Sequence, residues 1–422
     1  MSLWALGVGY VISGEYFGWN LGLPVAGSFG MLAAAGLVTV LYVCFVLAYA
    51  ELACAMPRAG GAFVYAERAL GPRWGAIAGF VQAIELVFAP PAIAMAIGSY
   101  IAARSPALDP RLPAAVAYVL FTALNAWGVR QAAAFELAVT VLAVGELALF
   151  IGVAAPSFSW ASFSREPLPS GWSGALAALP FAIWLYLGIE GVANAAEEAR
   201  NPGRDVARGF GAAMATLVVL ALGVFFTAVG VAGWRAVVYP SPGAPPSDAP
   251  LPLALAHVVG RHSTLYTLLL GVGLLGLVAS FHGILLAAGR ATFELGRAGL
   301  LPAVVGRVHP RTRTPAAALL LNMALGLVAI ASGRTGEIIT LACFGASSLY
   351  ALAMVAFFVL RRREPTMARP FVAPGHPVVP GIALALAASC FASLAIASPT
   401  IAAIFAGLLA LGILSALRRP AH

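Results

Sequence analysis

The stretch Gly9-Tyr10-Val11-Ile12-Ser13-Gly14-Glu15-Tyr16-Phe17-Gly18-Trp19-Asn20 lies inside the first long hydrophobic run of the chain. A membrane helix ordinarily avoids such content. Glycines four apart loosen the helix, and Glu15 places a carboxylate near the middle of the span, at a cost of about 2.5–3.5 kcal/mol on insertion scales. Backbone leaves the regular helix in lipid only where protein or a water-filled cavity satisfies the freed N–H and C=O groups. The economical reading is a broken helix lining a polar cavity near the midplane, which is how secondary transporters build a binding site.

Composition agrees. The chain has 422 residues, 61% hydrophobic and 9% charged, against about 25% charged in an ordinary globular protein, so soluble readings are excluded. Windows of roughly 20 apolar residues give twelve spans, near 3–24, 30–55, 74–102, 112–127, 132–155, 173–196, 210–233, 264–288, 315–332, 337–359, 380–397 and 399–417. No basic segment precedes Trp4 to Leu23, so a cleavable signal peptide is not expected there. All 24 basic residues are arginines, and the net charge of +8 marks topology rather than a nucleic-acid footprint. With the N-terminus inside, 18 arginines fall in inner loops and 6 in outer ones, which puts both ends in the cytoplasm of a multi-pass protein of the cell membrane. The outer loops at 156–172 and 235–262 are rich in Pro, Ser and Gly. The inner stretches from Met56 to Tyr65 and from Arg290 to Pro315 mix glycine, arginine and apolar residues and are expected to form short helices under the bundle. Cys44, Cys54, Cys343 and Cys390 lack metal-site spacing and read as inert core residues.

A second interrupted helix is legible at Phe181-Ala-Ile-Trp-Leu-Tyr-Leu-Gly-Ile-Glu-Gly-Val-Ala-Asn, in the sixth span. Gly188 and Gly191 bracket Glu190 much as Gly14 and Gly18 bracket Glu15. If spans 1–5 and 6–10 are inverted repeats, the two breaks occupy corresponding positions, the strongest sequence pointer to a transporter's site. The chain then reads as one polytopic domain, with repeat one at about 3–155, repeat two at about 173–359 and two further helices at about 380–417.

These residues resemble the amino acid–polyamine–organocation (APC) superfamily. Ile12-Ser13-Gly14 is similar to its Gly-Ser-Gly break. The run from Tyr49 to Tyr65 is similar to the signature joining its second and third helices, and Trp184 to Glu190 to its sixth-helix aromatic followed by Gly-x-Glu. Glu197 to Arg204 and Gly289 to Pro302 resemble its later loops. The resemblance implies an all-α carrier of about twelve helices with a five-plus-five inverted repeat, broken helices 1 and 6, and alternating access. Within the superfamily, Tyr10 to Asn20 looks most like the ethanolamine permease branch. Relatives usually carry a longer N-terminus.

The chemistry points the same way. In amino-acid carriers the first break offers backbone N–H groups to the substrate carboxylate. Here Ile12 replaces the first glycine and Glu15 follows the break. At about 5 Å a carboxylate repels an anion by several kcal/mol at an effective dielectric near 20, and attracts an ammonium instead. The expected substrate is therefore a small organic amine such as ethanolamine, with an amino-acid or polyamine permease as the alternative. Expected substrate contacts are Ser13, Gly14, Glu15, Glu85, Trp184, Tyr186 and Gly188; the indole of Trp184 can cover an ammonium by a cation–π contact. Glu15 could instead be structural, bonded to freed backbone N–H groups. Glu190 and His282 are the candidates for gating or proton coupling, and Glu85 for either role. Glu136 and Glu146 remain ambiguous. No metal, cofactor, Walker-type loop or nucleophile constellation is legible, which argues against a membrane enzyme; a channel would need rings of polar residues.

Overall fold

A computed structural model describes residues 3–58, 60–105, 107–128 and 133–417; Arg130, Arg418 and Arg419 lie outside the described residues. The elements are helical throughout. The first half holds α1 (Leu3–Val11), α2 (Ser13–Tyr16), α3 (Leu23–Ala55), α4 (Ala62–Leu70), α5 (Pro72–Ala102), α6 (Arg111–Ala126) and α7 (Ala133–Ala154). After a short α8 (Trp160–Phe163), the sixth span is assembled from α9 (Gly171–Ala177), α10 (Leu179–Ile183) and 3₁₀ segments at Trp184–Tyr186 and Ile189–Glu198. Then follow α11 (Pro202–Ala232), α12 (Trp234–Val238), α13 (Pro250–Val258), α14 (Thr264–Arg297), α15 (Ala316–Ser332), α16 (Thr335–Arg363), α17 (Val378–Ala397) and α18 (Pro399–Leu417). Among the described residues, eight helical segments are long and apolar enough to cross a membrane. Arg111–Ala126, Ala316–Ser332 and Pro399–Leu414 are shorter apolar helices. With the interrupted first segment, and a kink at Gly27 (φ 66°, ψ −175°) that divides the first span from the second, these occupy the twelve expected positions. The described residues thus form an all-α multi-pass membrane protein.

The pattern of exposure follows the lipid. Helix α5 is almost wholly buried, whereas α6, α7 and α17 show Val119, Val141 and Ile382 outward. α5 packs on α14 and α16 and reaches the first broken span through Tyr100, which donates to the Tyr16 carbonyl. All four cysteines are buried.

Both ends of the bundle are tied shut. On the arginine-rich face, Glu51 at the foot of α3 is 1% exposed. It accepts from Arg361 Nε at 2.8 Å and from the Ala373 N–H at 2.7 Å, and forms an ion pair with Arg369 Nε at 3.1 Å. Arg68 on α4 makes a two-point ion pair with Glu364. The segment after α16 thus straps α3 to α4. On the other face, Asn20 Nδ2 donates to the Ser247 carbonyl at 2.8 Å, and Thr335 Oγ1 donates to Asp248 Oδ2 at 2.7 Å. The Pro-rich loop at 235–262 has no helix from Tyr239 to Ala249, then forms a buried helix, α13, and is tied to the bundle by these two bonds. Of the two inner stretches expected to form short helices, one does, as α4. The other does not: α14 runs on to Arg297, past the expected end at 288, and turns complete the connection.

Candidate functional site

The first break falls later than the Ser-Gly motif indicates. Ile12 interrupts the helix but keeps right-handed helical angles (φ −56°, ψ −21°). The true departure is at Phe17 (φ −163°, ψ 175°) and Gly18 (φ 96°, ψ −49°). Only glycine adopts the second conformation readily. Glu15 therefore precedes the main break, where the sequence reading had it following. The sixth span repeats the geometry: Leu187 is extended in ψ (132°) and Gly188 has φ 96°.

The two breaks meet. A methyl group on Gly14 would lie 2.5 Å from the Trp184 carbonyl oxygen and 3.0 Å from Leu185 Cα, so α2 rests directly on the backbone where α10 gives out. A methyl on Gly18 would strike the Trp184 indole at 2.3 Å; that ring also meets Phe17 edge-on at 5.4 Å. Ser13 Oγ accepts from Ser280 Oγ on α14 at 3.0 Å, and Ser280 also contacts the Tyr10 carbonyl. The sequence-predicted Ser13, Gly14, Glu15, Trp184 and Gly188 are thus brought to the paired breaks. Tyr186 lies on the neighbouring turn; its hydroxyl bonds Thr39 Oγ1 at 2.8 Å and its ring tilts on Tyr42 at 5.3 Å.

Glu15 is fully buried, and neither carboxylate oxygen has a hydrogen-bond partner among the described residues. The alternative role, a carboxylate bonded to freed N–H groups, is not what is observed: the Phe17 N–H donates to the Ser13 carbonyl and the Gly18 N–H to Asn20 Oδ1. A buried carboxylate with no partner is costly, and its natural complement is a cation.

Glu85 is not beside Glu15 in a shared cage but joins Glu190. Tyr350 Oη on α16 donates to Glu190 Oε2 at 3.0 Å and lies 3.5 Å from Glu85 Oε1. Tyr42 Oη bonds Tyr350 Oη at 3.1 Å and the Ile183 carbonyl at 3.2 Å. Among the described residues no ion pair reaches either acid. Beside this pair is a cavity of about 10 Å³, lined by Tyr10, Gln82, Gly188, Glu190, Asn194 and Ile284 among others, which is room for about one water molecule. His282 is turned elsewhere. Ser280 and Ile284 mark the face of α14 toward the breaks, while the His282 ring packs 5.8 Å from Phe121 on α6.

Sequence reading missed Tyr350, Tyr42, Ser280, Asn194 and Gln82 as site residues. Gln82 had a signal, one helical turn before Glu85. Tyr350 had none: its partner acid is 160 positions away, and a tyrosine in an apolar span reads as core.

The sequence model of the family described as amino acid permease matches residues 1–412. The chain belongs to that family. This permease is 29% identical to an uncharacterised transporter of Rhizobium meliloti over 401 residues, covering 92% of its own chain and 84% of the relative. It is 27% identical to the methylthioribose transporter of Bacillus subtilis, over 83% of its chain and 80% of the relative. A branched-chain amino acid permease of the same bacterium is 26% identical, over 80% and 75%. The permease family is made up of transporters, so the superfamily resemblance read from the motifs stands. The names of these relatives cover a branched-chain amino acid permease and a methylthioribose transporter.

Proposed function

We propose that this permease carries a small organic amine, ethanolamine or a close analogue, across the cell membrane by alternating access, with both termini cytoplasmic. The observation that carries the reading is the fully buried, unpartnered carboxylate of Glu15 at the meeting of two broken helices. In this reading Glu15 receives the ammonium, Trp184 covers it, and Ser13, Gly14, Tyr186 and Gly188 shape the remainder. The use of the Phe17 and Gly18 N–H groups within the protein favours a substrate lacking a carboxylate. A carboxylate would need such donors.

The test is saturable uptake of labelled ethanolamine into proteoliposomes, with serine, leucine and putrescine as competitors. Loss of a buried charge partner is worth about 3–5 kcal/mol, so Glu15→Gln is expected to raise KM by roughly a hundredfold or more. Strong competition by serine or leucine, with Glu15→Gln still active, would return the chain to the amino-acid carriers that its relatives include.

Glu85 and Glu190, meeting at Tyr350, supply the coupling element in this proposal. Two carboxyl groups within reach of one hydroxyl can hold a single proton between them and hand it on. Uptake is then expected to accelerate under an inwardly acidifying proton gradient and to lose that response in Glu190→Gln. A gradient response undiminished in Glu190→Gln would remove the pair from the mechanism.

A further inference from the structure

Glu146 lies on α7, is 6% exposed, and has no part in the reading above. Its Oε2 accepts a 2.7 Å hydrogen bond from Tyr16 Oη. Tyr16 is the last residue of α2, the four-residue segment that carries Glu15. The contact is built rather than incidental. Tyr16 is fully buried, and its hydroxyl also lies 3.3 Å from the Ala143 carbonyl. Tyr100 on α5 donates to the Tyr16 backbone carbonyl at 3.3 Å. On α14 a methyl at Gly276 would stand 2.7 Å from the Tyr16 hydroxyl, so a glycine there makes room for the phenol.

The segment α2 is therefore pinned at both ends, by Ser280 on Ser13 and by Glu146 and Tyr100 on Tyr16. Glu15, between the pins, has no side-chain bond of its own. Its position is set by its neighbours' bonds. We infer that Glu146 is a positioning residue for the substrate site, holding α2 through Tyr16 so that the Glu15 carboxylate faces the substrate. The inference rests on Glu15 being the substrate ligand, and it adds a residue on α7 that determines affinity without touching substrate.

The test compares Glu146→Gln, Glu146→Leu, Tyr16→Phe and the double variant Glu146→Leu/Tyr16→Phe in proteoliposomes. Uptake rates are normalised to folded protein recovered by size-exclusion chromatography. Glu146→Gln keeps an acceptor for Tyr16 and is expected to hold KM for ethanolamine within about twofold. Glu146→Leu and Tyr16→Phe each lose the Tyr16–Glu146 hydrogen bond in a buried setting and are expected to raise KM about tenfold, with maximal rate per folded molecule little changed. The double variant is expected to be no worse than the worse single one, because both remove the same bond. Single variants that lower only the folded yield and leave KM alone would overturn the inference, as would a double variant whose effects multiply. Should the wild type take up leucine and not ethanolamine, the amine reading fails; the same four variants measured with leucine then still decide the role of Glu146.

Discussion

Replacing Gly14 by alanine tests whether the two breaks must touch. The added methyl would lie 2.5 Å from the Trp184 carbonyl oxygen and 3.0 Å from both Leu185 Cα and the Leu185 carbonyl oxygen. All three are backbone atoms, so no side-chain rotation relieves the overlap. One of the two broken spans must move instead. Forcing extra volume into a packed core costs about 1–3 kcal/mol. If that falls on the transport-competent arrangement, uptake at low substrate should drop roughly five- to hundredfold, since about 1.4 kcal/mol is a factor of ten. Gly36→Ala is the control, because nothing lies within 4 Å of a methyl there and alanine favours the helix by up to about 1 kcal/mol. The assay is initial uptake per folded molecule together with the midpoint of thermal unfolding in detergent. Normal uptake and an unchanged midpoint for Gly14→Ala would refute the reasoning, and so would an equal loss in Gly36→Ala.

Two further outcomes concern the ties at the ends of the bundle. Burial pushes the Asp248 carboxyl up to about 6, and the Thr335 hydroxyl offsets part of that rise. Because the buried form has the raised value, the loop packs without penalty below about pH 4, and the cost of burying the charge grows until about pH 6. Unfolding midpoints of the wild type should therefore fall across that window, and Asp248→Asn should flatten the slope; an unchanged slope would mean that Asp248 is solvated. On the opposite face, Glu51→Gln leaves Arg361 and Arg369 without their shared carboxylate, and breaking a buried pair costs about 3–5 kcal/mol. A loss of thermal stability well beyond that of Arg111→Gln, whose pair with Asp109 is half exposed, is expected by the same unfolding measurement; equal losses would contradict it.

The number and placement of spans were legible because apolar length is a local property, and so was the burial of Glu15. The end ties were not. Glu51 gave no sign that its partners are 310 and 318 positions away, and the loop that carries Asp248 reads as solvated from its prolines. The break positions failed for a narrower reason. A glycine looks the same in sequence whether the backbone needs its positive φ or a neighbour needs its missing side chain. Gly14 serves only the second purpose whereas Gly18 serves both, so a motif read at Ser13-Gly14 placed the turn about one helical turn early.

The same distinction can be drawn in both breaks. Each break contains one glycine with φ 96°, Gly18 and Gly188, and one that admits a neighbour. Gly14 admits the backbone of Leu185, and Gly191 admits the Tyr10 ring, 2.6 Å from a methyl built there. The order is packing then turning in the first span, and turning then packing in the sixth. In both, the acid lies between the two glycines. Each span thereby presents its packing glycine to the other, Gly14 to Leu185 of the sixth and Gly191 to Tyr10 of the first. The acids then part in role through their surroundings: Glu190 meets Tyr350 and shares it with Glu85, whereas Glu15 meets no donor. The same local grammar thus leaves one carboxyl group hydrogen-bonded by the protein and the other, among the described residues, without a partner.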